Sequence, residues 1–475
     1  MTTPNYILIQ HATVLSMDRD IGNLSDCDVL IKEDTIAAVG PALSIPQHGE
    51  CDIIDGTDSI ITPGFVDGHH HMWQQFLRSI ANDWSLLDYL VNMRTKFGSL
   101  FTAEDVYFAQ YAAGLSLLSN GITTVLDHCH IINTPSHADA AVRGLKDSGI
   151  RGTFCYGFYP NPPIPAHLGR GRFENFSQEL RQQDAARVLR EHFPDNDPKT
   201  SLLTFGIAPN EPESTAIETI KEELRQSRAM GARLITYHVA MGHYDIAKRK
   251  IVQDLANDNL LGPDIVFSHG ASLSQGELAA IKESGAGIVA TPDTELQMGM
   301  GHPVAFRAAD NGCHSCLGID ITSNNSNDFM AQMRLALQTQ RAKDSQEAFP
   351  KAVKRKTEEV LHMATIGGAE VMRLQDLTGS ITPGKKADVV LFRCNDINSF
   401  PILEPVGNVV FHMSHSNVHT VIVNGRVAKR DGELTGVDWP NLREEIRVRS
   451  KRILDEAGKI DMTAQRKKWE KVLDL

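Results

Sequence analysis

The chain has 475 residues, 41% of them hydrophobic and 22% charged, and carries a formal net charge of −12. This is the composition of a soluble globular protein, with length enough for an α/β barrel of about 250 residues and an appended module. The acidic balance, with no Lys/Arg cluster before the C-terminal tail, excludes a phosphate-reading face and so predicts no nucleic acid partner. The absence of any apolar run of ~18 residues predicts no membrane partner.

In chain order, residues 1–62 contain YILIQHATVLSM, DVLIKEDTIAAVG and CDIIDGTDSIIT, β-branched runs separated by turn signals such as Asp55-Gly56. These predict a β module that is incomplete by itself. From residue 63 the pattern changes: TPGFVDGHH, GITTVLD, RGTFCYGF, LLTFGIAP, RLITYHV, DIVFSHG, GIVATP and SCLGIDI are eight strand-like runs separated by helical stretches. AEDVYFAQYAAGLSLLSNG and QGELAAIKESG show the 3.6-residue period and stop at glycine. Eight such repeats over 63–377 predict a (β/α)8 barrel of the TIM type. The Pro-, Gly- and Arg-rich loop 157–172 is long enough to act as a substrate lid. Over 378–440, GSITPGKKADVVLFR and HTVIVNGRVAKRDGEL supply further strands, the second around an Asn424-Gly425 hairpin turn, and are expected to complete one β-sandwich with residues 1–62. Residues 441–475 read as a helical tail.

The N-terminus, MTTPNYILIQ, lacks a charged n-region followed by an apolar stretch, and seven cysteines are scattered along the chain, which fits a reducing cytoplasm. Cys313 and Cys316 form a CxxC with no second pair, so they read as small packing residues.

Chemistry concentrates where the barrel strands end. In PGFVDGHHHMW side chains alternate, so His69 and His71 share one face while His70 leaves on the other. His238 closes RLITY, His269 closes DIVFS, and Asp320 closes SCLGI. C-terminal strand ends are where barrel enzymes place their chemistry, and imidazole with carboxylate is a ligand set for a zinc-like ion.

With these runs in place the sequence resembles the amidohydrolase superfamily, in its cytosine deaminase, guanine deaminase and chlorohydrolase branch. PGFVDGHHH is similar to that family's PGxxDxHxH, TYHVAMGH to its fifth-strand histidine, SHGASLS to its sixth-strand histidine and LGIDITSNN to its LGxDxxxxN. The resemblance implies His69, His71, His238 and Asp320 as metal ligands and His269 as the group that orients water or the substrate oxygen. Strand four, LLTFGIAPNEP, ends without the bridging lysine of two-metal members, and Glu211 and Glu213 lie beyond it, so one divalent ion is expected. Zn2+ is the first choice, with Fe2+ or Mn2+ compatible with the same donors. Such an ion lowers the pKa of water toward about 7, with Asp320 taking the proton and His269 balancing developing charge.

One position departs from the family. The fifth strand carries Met241 where aminohydrolases have a glutamate that protonates a ring nitrogen. The proton must then come from another strand or be unnecessary, and His243, Asp245, Glu295 and His302 are the polar candidates near strand ends five and seven, His302 and Glu295 first and His243 next. Gln74 and Trp84, after the first strand, are expected to line the substrate site, while His128 and His130 read as hydrogen-bonding groups near its mouth. The expected activity is metal-dependent deamination of a small cyclic or planar nitrogen compound. Rivals at the same metal are hydrolysis of another C–N or C–X bond, cyclic amide opening or a lyase step, and outside enzymes a metal-containing scaffold. A small-molecule substrate and a possible homo-oligomer complete the expectation.

Overall fold

The computed structural model describes residues 6–44, 49–161, 176–245, 248–347 and 351–472. Most of loop 157–172 lies outside the described residues.

Strands from both ends of the chain share one mixed nine-stranded sheet. They are β1 (Tyr6–Leu15), β2 (Asn23–Lys32), β3 (Thr35–Gly40), β4 (Cys51–Asp55) and β5 (Ser59–Pro63). β5 of this N-terminal set is the one that will meet the C-terminal strands. The eight strands β6 (Phe65–His70), β7 (Ile122–Cys129), β8 (Arg151–Gly157), β9 (Leu203–Ala208), β10 (Ile235–Val239), β11 (Ile265–His269), β12 (Gly287–Ala290) and β13 (His314–Leu317) follow in the second sheet. β14 (Val389–Arg393), β15 (Val418–Val423), β16 (Arg426–Arg430) and β17 (Glu433–Leu434) return to the first. β14 pairs antiparallel with β5, which places the two chain ends side by side. Ile7, Ile9, Val29, Ile31, Ile61, Val389 and Leu391 form the aliphatic core that both sets of strands enclose. Asn424 and Gly425, both at positive φ, make the tight turn between β15 and β16.

β6 to β13 lie in sequential order and pair in parallel. All of β7, β8 and β9 is buried, as expected of strands covered on both faces. The intervening helices begin and end as their sequences dictate. Thr102 and Asp105 form a capping box before Ala103–Ser119; Ser274 and Glu277 do the same for Gln275–Ser284, which stops at Gly285 in the left-handed region. The last and first barrel strands meet through the residues that matter most: Asp320 N–H donates to His69 O (2.9 Å) and His71 N–H to Asp320 O (2.7 Å). Asp67 ties the same seam, accepting from the backbone of His69 (3.2 Å) and of Ile319 (3.0 Å). Gly68 permits this closeness, since a Cβ there would lie 2.5 Å from the Cys316 sulfur of β13; on the other side a Cβ on Gly64 would lie 2.1 Å from Thr123 of β7.

The two sheets are joined by a buried ion pair: Arg151 on β8 donates to Asp388, just before β14, at 2.6 and 3.0 Å. No described helix is long and apolar enough to cross a membrane.

Candidate active site

Each histidine at the barrel's C-terminal mouth is held by its Nδ1, which turns Nε2 inward. His69 Nδ1 meets Ser268 Oγ at 2.9 Å, His71 Nδ1 meets the His128 carbonyl at 2.7 Å, and His238 Nδ1 meets the Glu211 carboxylate at 2.9 Å. An acceptor at Nδ1 fixes the tautomer that leaves Nε2 a free lone pair. The three Nε2 atoms converge: His238 lies 3.3 Å from His69 and 3.2 Å from His71, and Asp320 Oδ1 lies 3.4 and 3.5 Å from His69 and His71. Donors about 2.0–2.2 Å from one zinc ion stand about 3.3–3.6 Å apart along tetrahedral edges, so the spacing fits a single ion. Burial drives the pKa of His69 down to about 3 and that of His71 well below its usual value, so both rings are neutral near pH 7, the state a ligand needs. Burial alone would raise the Asp320 carboxyl, but the imidazoles packed around it outweigh burial and keep its pKa below the usual carboxylate range.

His269 closes the group from β11. Its Nδ1 lies 3.1 Å from Thr291 Oγ1 and 3.4 Å from Glu295 Oε1. Burial pulls its pKa down, yet the Glu295 hydrogen bond and the Asp320 charge prevail, so the net shift is upward. His269 and Asp320 both adopt positive φ, 76° and 71°. That conformation costs a non-glycine residue about 1–3 kcal/mol and recurs where side chains are aimed for function.

A cavity of about 680 Å³ opens on this centre. His71, His238, His269 and Asp320 form its floor, and Tyr159, Arg94 and Trp469 stand on its walls. The Arg94 guanidinium lies 4.9 Å over the Tyr159 ring. Trp469 belongs to the C-terminal helix Thr463–Val472, which packs on Leu87, Val91 and Tyr244 and is pinned by Arg466 to Asp88 at 2.6 Å.

Residues 60–428 match the model of the amidohydrolase family. The chain belongs to that family. It is 27% identical over 418 residues to a 5-methylthioadenosine/S-adenosylhomocysteine deaminase of Pyrococcus horikoshii, covering 86% of this chain and 92% of that one. It is 28% identical over 463 residues to a 5'-deoxyadenosine deaminase of Methanobrevibacter smithii, covering 96% and 98%. In fold it is similar to a zinc-bound adenosine deaminase of Xanthomonas campestris, with a TM-score of 0.81 at 20% identity over 94% of this chain and 98% of that one. An atrazine chlorohydrolase of Arthrobacter aurescens in complex with zinc gives 0.78 at 21%, over 94% and 100%. The donor set of this amidohydrolase suits a divalent ion such as zinc.

The structure brings His69, His71, His238, His269 and Asp320 of this amidohydrolase together. Buried His70 turns away from them and bonds Asp67 at 2.8 Å. The five side chains expected to contact substrate are elsewhere than the cavity wall. Gln74 is buried between the Tyr89 hydroxyl and Ser323, both at 2.7 Å. Trp84 stacks on Phe97, 6.4 Å between centroids. His302 bonds Gln340 at 3.0 Å, His243 is exposed, and Glu295 lies beneath His269 with the Thr291 N–H at 2.8 Å. His128 stacks on the His238 ring at 4.3 Å and bonds Tyr159 at 3.1 Å, while His130 lines the cavity. Sequence reasoning missed Arg94, Tyr159 and Trp469. The signal available for Trp469 was an aromatic residue within an otherwise charged stretch, AQRKKWEK.

Proposed function

We propose that this amidohydrolase is an aminohydrolase that removes an amino group from a ring carbon of a planar nitrogen heterocycle carried on a larger frame, of nucleoside size. The observation that carries the reading is a cavity of about 680 Å³ set directly on four inward imidazoles and one carboxylate. At ~30 Å³ per water that space holds about twenty waters, and a bare six-membered ring would displace only a few of them. The activities named for the two sequence relatives, both on adenosine-type amines, support the same class.

In this reading His69, His71, His238 and Asp320 hold the ion. When bound, it supplies hydroxide at neutral pH by lowering the pKa of water toward about 7. Asp320 accepts the proton released as that hydroxide forms and passes it to the departing amine. His269 donates from Nε2 to the oxygen added to the ring carbon, with Glu295 and Thr291 holding its other nitrogen. Tyr159 and Trp469 flank the planar group and exclude water from it. All seven cysteines are free thiols, which supports a cytoplasmic setting.

Ammonia release across a panel of aminopurine nucleosides, their thioether derivatives, free aminopurines and aminopyrimidines, and chlorotriazines tests the proposal. Turnover of an aminopurine nucleoside class is expected. Chloride release from the chlorotriazines with no ammonia from any amine would overturn it.

A further inference from the structure

Hydroxide attack on an amidine-like ring carbon pushes an electron pair onto the neighbouring ring nitrogen, which must be protonated as the bond forms. Met241, following the His238 strand, has only a thioether and supplies no proton. Among the described residues three carboxyl groups line the cavity: Asp320, Glu211 and Glu213. Asp320 belongs to the metal set, and Glu211 is committed to His238 Nδ1. Glu213 is left. It stands in the turn after β9, but its Oε1 accepts the backbone N–H of Ala240 at 3.2 Å, which docks the carboxyl at the end of β10 directly beside Met241. Its Oε2 is buried and has no hydrogen-bond partner among the described residues. The neighbouring carboxyl of Asp245 likewise keeps Oδ1 buried and without a partner among the described residues, while its Oδ2 accepts from Ser272 at 3.1 Å.

Resting on the aminohydrolase reading above, we propose that Glu213 is the acid that protonates the substrate's ring nitrogen, with Asp245 as the positioning residue that keeps the proton on it. With the Asp245 carboxyl beside it, the buried Glu213 carboxyl is favoured in its protonated form. Burial pushes the Glu213 pKa up to about 8, with the charges of Asp245 and Glu211 adding to the shift and the Ala240 N–H opposing it. Arg249, also beside this turn, is occupied by the carbonyls of Pro212 and Thr215. The proton account closes. Hydroxide adds to the amine-bearing carbon, the C=N π pair moves to the ring nitrogen, and that nitrogen takes the Glu213 proton. The C–NH2 bond then breaks with its pair on nitrogen, which leaves as ammonia with the proton Asp320 held. The hydroxyl proton lost as the carbonyl forms returns Glu213 to its acid form.

The test compares zinc-loaded wild type, Glu213→Gln and Asp245→Asn in zinc content, pH-dependent infrared difference spectra, and kcat and KM for ammonia release from pH 5 to 10. Zinc content is expected to be equal in all three. The wild-type spectrum at pH 7 should contain a protonated-carboxyl band that titrates away near pH 8 and is missing from Glu213→Gln. kcat should fall by about 10²–10⁴ in Glu213→Gln, with KM changed far less. Because the acid form is the active one, wild-type kcat should decline as pH rises through about 8. Asp245→Asn should move that decline to lower pH while retaining the rate below it. Ammonia release with an unchanged rate in Glu213→Gln, or no such band in wild type, would overturn this assignment alone. No ammonia from any amine would overturn it together with the aminohydrolase reading.

Discussion

Removing the acceptor behind His238 should loosen the metal without touching a ligand. Glu211→Ala leaves His238 Nδ1 without its carboxylate, now 2.9 and 3.2 Å away. Losing such a partner lowers metal affinity by about 10–100-fold, or about 1.4–2.7 kcal/mol. The Glu211 side chain is 27% exposed whereas His238 is 8% exposed, so water can replace part of the lost bond and the result should fall near the tenfold end. Glu211→Gln keeps an acceptor oxygen and loses the charge, so it should fall between wild type and alanine. His71 gives the contrast: its Nδ1 rests on the backbone carbonyl of His128, which no side-chain change removes. The assay is competition for zinc against a chromophoric chelator on metal-stripped protein, with the apo melting temperature as the control for folding. Indistinguishable zinc affinities for wild type, Gln and Ala would refute the orienting role and the single-ion geometry built on it.

Asp320→Asn should abolish turnover, because an amide cannot accept the proton of the attacking water, whereas His269→Asn should keep most of the zinc and lose about 10²–10⁴ in rate; steady-state kinetics beside elemental analysis checks both. Asp388→Ala leaves the Arg151 guanidinium, 2% exposed, without its charged partner, though still on the Asn424 side-chain oxygen, and should cost about 3–5 kcal/mol in urea unfolding, while the paired change Arg151→Met with Asp388→Leu should recover most of it. A single-variant loss below about 1 kcal/mol would refute the pair as a joint between the sheets.

The barrel and the floor of its cavity were legible because their signals are local. Each strand is a short apolar run, and each of these converging side chains sits where that run stops: His238 within β10, His269 at the end of β11, Asp320 just past β13. Alternation along β6 also separated His70 from its neighbours, and Asp67 holds it there. The cavity wall was not legible, because it is assembled from segments far apart in sequence. Gln74 follows the ligands at once, yet its segment folds as a 3-10 turn, Met72–Leu77, with all six residues buried, so its amide faces the core. Arg94 reaches the wall from a π-helical stretch, Leu90–Lys96, whose i→i+5 spacing no 3.6-residue pattern reveals. Trp469 depends on where the last helix docks, and Glu213 on a turn that carries it from one strand to the end of the next. Neither placement is a property of the local sequence.

The most direct test of the metal centre is elemental analysis of protein purified without chelator, for wild type, His70→Asn and His71→Asn. One divalent ion per chain is expected in wild type and in His70→Asn, whose side chain can still donate to Asp67, with most of the metal lost in His71→Asn. A ratio near two in wild type, or equal loss in the two variants, would contradict the single-ion site.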